Sequence, residues 1–175
     1  MIARLVLFGA TGDLTGRYLL PALAALHAAG KLPHEFRLVG AARTKLDDEA
    51  FRRHAAQELE QHAKDVPQAD REALVNSLSY QSVDFGNAES VGKVVDESDG
   101  PVAVYLALPP GVLVTAVMAL GEVGLPEGSR MVLEKPFGED LDSAVMLNAL
   151  LARAAGCRRK HVEMKRHPLG ERAAG

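Results

Sequence analysis

Cysteine is nearly absent: the 175 residues hold one, Cys157. A lone cysteine excludes an internal disulfide and fits a reducing compartment, so a cytoplasmic location is expected. Long hydrophobic runs are missing as well, and every apolar stretch is interrupted short of the ~20 positions a membrane span needs. The N-terminus begins on a strand-like run, without the basic-then-apolar pattern and cleavage site of a secretory signal. Neither sign of charge dominates: 20 Lys and Arg face 23 Asp and Glu, a formal net charge of -3. No global field draws DNA, RNA or anionic lipid, so neither nucleic acid nor membrane is expected as a partner. No Gly-x-Ser-x-Gly elbow, P-loop or His-Glu-x-x-His occurs, which leaves hydrolase, phosphotransferase and zincin chemistry without support. The remainder is 47% hydrophobic and 25% charged, the composition of one globular domain with a real core.

Strand-like and helix-like segments alternate along the chain. The apolar run Arg4–Phe8, the apolar-rich segment 101–108, and the segments 36–40, around 80–83 and 129–134 read as strands. Helical spacing marks 13–29, 46–65, 70–78, 88–97, 112–123 and 140–155. Asp13 is a candidate N-cap, Thr44 with Asp47 resembles a capping box, and Gly30 stands as a helix C-terminal residue. Apolar strands separated by helices imply an α/β fold. The expected architecture is a doubly wound, mostly parallel, Rossmann-like sheet with helices on both faces. Such sheets bind ligands outside the C-terminal ends of their strands, so the residues following each strand carry the functional reading.

Four segments lie there. Gly9-Ala10-Thr11-Gly12-Asp13-Leu14-Thr15-Gly16 joins the first strand to the first helix with GxxGxxxG spacing. Its glycines permit close backbone approach, and the helix N-terminus offers free N–H groups to a pyrophosphate; a plain structural turn is the alternative. Arg43 follows the second strand, where an acidic residue would bond ribose hydroxyls and an arginine can pair with a 2′-phosphate. The bland reading is a solvated loop arginine beside Lys45. Tyr105-Leu-Ala-Leu-Pro-Pro110 is either a stiff wall beside a nicotinamide or a simple strand terminator. Glu134-Lys-Pro-Phe-Gly138 places Lys135 at a strand end, with its backbone held extended by Pro136.

Taken in order, Gly9-Ala-Thr-Gly-Asp-Leu14, Tyr105-Leu-Ala-Leu-Pro-Pro110 and Glu134-Lys-Pro-Phe-Gly138, with Asp140-Leu141 and Ser143-Ala144, resemble the N-terminal domain of glucose-6-phosphate dehydrogenase. Arg43 matches the arginine after that family's second strand. The resemblance covers residues 1–155. It implies an NADP-dependent oxidoreductase that moves a hydride from the anomeric carbon of glucose 6-phosphate to NADP+, giving the phosphogluconolactone. It implies that Gly9–Gly16 holds the pyrophosphate, that Arg43 holds the 2′-phosphate, and that Tyr105 lies near the nicotinamide. It also implies that Lys135 is a catalytic residue contacting both coenzyme and sugar phosphate. No metal is implied.

The family continues much further, with a substrate motif Arg-Ile-Asp-His-Tyr-Leu-Gly-Lys and a large domain carrying the histidine general base. In the tail, His167, Leu169 and Gly170 match that motif, but Arg166 replaces its aspartate and Glu171 its lysine. A glutamate there would repel a phosphate dianion, and His167 stands either as a relic or as a chance match. Charge also changes near Gly156: residues 156–175 carry six Lys/Arg against two Asp/Glu. They read as an atypical basic tail, with order or disorder left open. Cys157, His161 and His167 lack a fourth partner and standard zinc spacing. The expectation is therefore a coenzyme domain that binds NADP without turning over alone, for want of a substrate domain. Self-association through an uncovered domain face is a further expectation. The alternative is a non-catalytic NADP-binding module acting with a partner chain.

Overall fold

The computed structural model describes residues 2–96, 100–133 and 163–164. Its strands are β1 (Arg4–Phe8), β2 (Arg37–Ala42), β3 (Leu78–Ser82), β4 (Val102–Leu106), β5 (Arg130–Leu133) and the two-residue β6 (Glu163–Met164). Its helices are α1 (Leu20–Ala28), preceded by a π-helical turn Thr15–Leu19, then α2 (Asp48–His62), α3 (Gln68–Asn76), α4 (Ala88–Asp96) and α5 (Pro110–Val123). All neighbouring strands are parallel, in the order β3-β2-β1-β4-β5-β6. That order is the Rossmann one, reversing direction beside β1.

The alternation of side chains across β1 explains the two layers of helices. Val6 and Phe8 point to one face and pack with Val39, Val104, Leu106, Val91, Val94, Leu113 and Val117. Leu7 points to the other and joins Leu20, Ala24, Leu38, Phe51, Leu59, Leu74 and Leu78. A strand buried on both faces needs apolar residues throughout, which is why the first strand reads as an unbroken run. At roughly 25 cal/mol per Å², burying each such side chain contributes about 1.5–3 kcal/mol.

Several boundaries differ from the sequence reading, each for a local reason. The proline pair was expected to precede the helix, but Pro110 is its first residue, because a first-turn N–H has no partner to lose. Leu78 opens β3 instead of ending α3, since Ser77 closes the helix by donating its hydroxyl to the Leu74 carbonyl (2.9 Å for its N–H, 2.7 Å for its Oγ). The capping box is corrected too: Asp47 alone caps α2, its carboxylate accepting the Ala50 N–H at 2.7 Å. Asp13 does not cap the first helix; its carboxylate lies 3.6 Å from Arg17 on the exposed side. The π turn was not anticipated. Leu20 donates to the Thr15 carbonyl five residues back, and the next residue, Pro21, has no N–H and crowds the carbonyl four residues behind it. A widened turn relieves that crowding. Gly30 ends α1 as expected, with Lys31 N–H donating to Leu26 and Gly30 N–H to His27, both at 2.9 Å.

Candidate functional site

The C-terminal ends of β1 and β4 lie side by side where the strand order reverses. At that point the backbone of Gly9 runs against the β4 exit. Ala107 N–H donates to the Phe8 carbonyl at 2.9 Å, and a Cβ on Gly9 would overlap the Ala107 carbonyl oxygen. Gly9 also holds φ at +87°, where an L side chain is strained. Only glycine satisfies both demands. From there the chain turns tightly into the helix: Gly12 N–H donates to Gly9 O (3.0 Å), Gly16 N–H to Gly12 O (3.1 Å), and the buried Thr15 hydroxyl to Gly9 O (2.9 Å). Ala10 is 1% exposed and its N–H donates to Ala41 O. Gly16 is buried under α2, where a Cβ would meet the Glu58 carboxylate.

The N–H groups of Thr11, Asp13 and Leu14 have no acceptor among the described residues. They lie in the turn that leads into the helix, at the positive end of its dipole, where free N–H groups favour an anion. Gly12 and Asp13 are exposed beside them.

Arg43 is the first residue beyond β2, exposed, and makes no ion pair among the described residues. The loop that carries it lies against the glycine turn: the hydroxyls of Thr11 and Thr44 are 3.5 Å apart. Tyr80, from β3, closes the loop from below, with its hydroxyl 2.6 Å from Thr44 O and 3.3 Å from Ala42 O. Burial pushes the Tyr80 phenol above its ordinary value, which keeps it a proton donor. Gly40 makes the layer thin enough for this arrangement. A Cβ there would stand 2.5 Å from Phe51 Cζ and 2.9 Å from Ala10 Cβ, so α2 rests directly on the sheet beneath the loop.

Tyr105 is half-buried in β4, paired in register with Leu7 and Val132, on the face covered by α1, α2 and α3. The structure thus gathers Gly9–Gly16, Arg43 and the β4 exit at one edge. Lys135, Glu134, Pro136, the 140–155 helix, Cys157 and His167 lie outside the described residues. The sequence reading missed Tyr80, Thr44 and Gly40 as contributors. A tyrosine on the core-facing register of a strand is itself a signal, because its buried hydroxyl must find a partner. A concavity of about 540 Å³ lined by Leu59, Glu60, Arg71 and Val75 lies between α2 and α3, with no strand residue in its wall, and is unrelated to this edge. Among the described residues no helix is long and apolar enough to cross a membrane.

A family model described as "Glucose-6-phosphate dehydrogenase, NAD binding domain" matches residues 6–158. The chain belongs to the glucose-6-phosphate dehydrogenase family. The glucose-6-phosphate 1-dehydrogenase of Zymomonas mobilis is 38% identical over 154 residues, covering 84% of this chain and 32% of the relative. The crystal structure of glucose-6-phosphate 1-dehydrogenase from Mycobacterium avium superposes with a TM-score of 0.78 at 29% identity, over 87% of this chain and 34% of that one. A glucose-6-phosphate dehydrogenase in complex with its substrate glucose-6-phosphate superposes with a TM-score of 0.72 at 32% identity, over 86% of this chain and 34% of that one. The chain therefore spans about a third of the length of the family members it matches. The fold expected from the sequence is the fold of these relatives, and the resemblance drawn from the motifs is borne out by the family match.

Proposed function

We propose that this chain is the NADP-binding part of a dehydrogenase that oxidises glucose 6-phosphate at its anomeric carbon. The observation that carries the reading is the 3.5 Å approach of Thr11 to Thr44, which sets the free amides of one loop beside Arg43 of the next. A dinucleotide with a 2′-phosphate needs both: amide donors for its pyrophosphate and a guanidinium for the phosphate on the neighbouring ribose. The residues fit the group. Gly9 and Gly12 contribute no side chain to the turn, and Arg43 is exposed without a carboxylate competing for it among the described residues.

In this reading, Thr11, Asp13 and Leu14 bind the pyrophosphate through their amides, and Arg43 selects NADP over NAD. The β4 exit from Tyr105 to Pro110 shapes the far side of the crevice toward the nicotinamide. Lys135 contacts both the coenzyme and the substrate phosphate. The nicotinamide supplies the hydride acceptor, so that glucose 6-phosphate and NADP+ become 6-phosphogluconolactone, NADPH and a proton. The protein's share of the rate is placement: holding two reactants in line is worth up to about 7–11 kcal/mol of barrier.

Two of the described histidines are already engaged by carboxylates. His27 pairs with Asp70 at 2.9 Å, and His62 lies 3.7 Å from Glu58. The 175 residues by themselves are accordingly expected to bind NADP+ without reducing it. Calorimetric titration with NADP+ and NAD+ tests the reading. Tight NADP+ binding, weak NAD+ binding and loss of that preference in Arg43→Ala would support it. Absence of binding by either coenzyme would overturn it. Glucose 6-phosphate-dependent NADPH formation by this chain, abolished in Lys135→Ala, would refute the expected lack of turnover.

A further inference from the structure

Arg43 stands on a short loop with little to hold it. Arg43, Thr44 and Lys45 are all exposed, and fixing the long arginine side chain already costs rotamer entropy. A backbone free to drift would add to that cost. What restrains it comes from β3. The Tyr80 ring is embedded against Phe51, with centroids 5.0 Å apart, and the residue is 9% exposed. Its hydroxyl meets the carbonyls of Ala42 and Thr44, the two residues that flank Arg43. A phenol has one proton to donate, so the 2.6 Å contact to Thr44 is the bond made; Ala42 O also takes the Val83 N–H at 2.9 Å. The Tyr80 N–H meanwhile donates to Asp48 Oδ1 at 2.7 Å, tying the same residue to the start of α2.

We propose that Tyr80 is a positioning residue for coenzyme choice: its hydroxyl fixes the turn from which Arg43 projects, so that discrimination between NADP and NAD depends on a residue that touches neither. The inference rests on the assignment of Arg43 to the 2′-phosphate and deepens it. The link is mechanical. Removing the Thr44 bond frees the carbonyl that follows Arg43, and the guanidinium must then be localised by the ligand alone. The ring packing and the Tyr80 N–H bond are untouched by loss of the oxygen, so Tyr80→Phe isolates the hydroxyl.

The test measures dissociation constants of NADP+, NAD+, 2′,5′-ADP and ADP for the 175-residue chain, Tyr80→Phe, Arg43→Ala and the double variant. Tyr80→Phe is expected to weaken NADP+ and 2′,5′-ADP about three- to tenfold, the worth of one hydrogen bond, with NAD+ and ADP unchanged. In the Arg43→Ala background the same change is expected to do nothing, because the coupling runs through Arg43. Faster amide exchange at Thr44 and Lys45 in Tyr80→Phe would accompany this. If Tyr80→Phe weakens all four ligands equally, or none, while Arg43→Ala removes the preference, Tyr80 supports only the fold and the inference falls with the Arg43 assignment intact. If Arg43→Ala leaves the preference unchanged, the Arg43 assignment fails and takes this inference with it.

Discussion

Gly9 carries two constraints that no other side chain meets, a left-handed φ and a backbone carbonyl where Cβ would stand. Gly9→Ala is therefore expected to cost at least about 1–3 kcal/mol from backbone strain, before the overlap with Ala107 is relieved. Urea denaturation would read the loss, and coenzyme titration would show binding lost with it. An alanine variant as stable as the parent would mean that the turn relaxes elsewhere. Tyr80 makes a second prediction at this scale. Burial raises its phenol above 10.0, so the folded chain holds that proton more tightly than the unfolded chain does. Its stabilising share is complete below about pH 10 and is lost as pH climbs through the raised folded value. Urea midpoints followed from about pH 8 to pH 11 should fall more steeply for the parent than for Tyr80→Phe. Parallel curves would contradict the shift.

At the scale of elements, α2 depends on one cap. Asp47 lies in extended backbone, φ -94° and ψ 172°, and its carboxylate holds the Ala50 N–H. Asp47→Ala is expected to cost about 0.5–2 kcal/mol, whereas Thr44→Ala, at the position first read as the cap, should leave α2 unchanged. Circular dichroism with urea denaturation separates the two. The comparison shows what the sequence reveals and what it hides. Every segment read as a strand among the described residues is present. In β1 and β4 apolar burial writes itself into the residues, whereas the edge strand β3 alternates buried Leu78 and Tyr80 with partly exposed Ser79 and Gln81. Ends were less legible. Thr44 and Asp47 are both good capping residues three positions apart, and only the path of the loop decides between them. Pro109 and Pro110 break a strand and start a helix with the same chemistry. The π turn before Pro21 depends on a backbone adjustment that leaves no periodic trace.

Over the whole molecule, the glycine turn and Arg43 were legible because each sits beside its own strand. Their adjacency was not, because it needs β2 beside β1 and the Thr11–Thr44 approach across the two loops. Tyr80 was hidden for the same reason: its partners Ala42 and Thr44 lie on a different strand and loop. Lys135, named from its motif alone, falls outside the described residues. The fold and the separate segments of the proposed coenzyme edge thus follow from local pattern, while their adjacency and the supports beneath Arg43 follow from contacts distant in sequence.

The placement of β1 has a consequence for the order in which the chain is made. β1 lies inside the sheet and is made before both strands that flank it, and one of those neighbours begins only at Val102, paired with Arg4. Until that strand emerges from the ribosome, β1 keeps an open flank, with Val6 and Phe8 lacking most of their eventual cover. Such an edge invites pairing with another chain, and closure across so long a separation is slow. Nascent chains arrested at increasing length should gain protease resistance at β1 in one step, once Leu106 has cleared the exit tunnel. Protection already complete at Ser82 would show that the β1–β3 half stands alone. The strand at the middle of the sheet thus exists well before one of its two flanks, leaving a window for chaperone capture during translation.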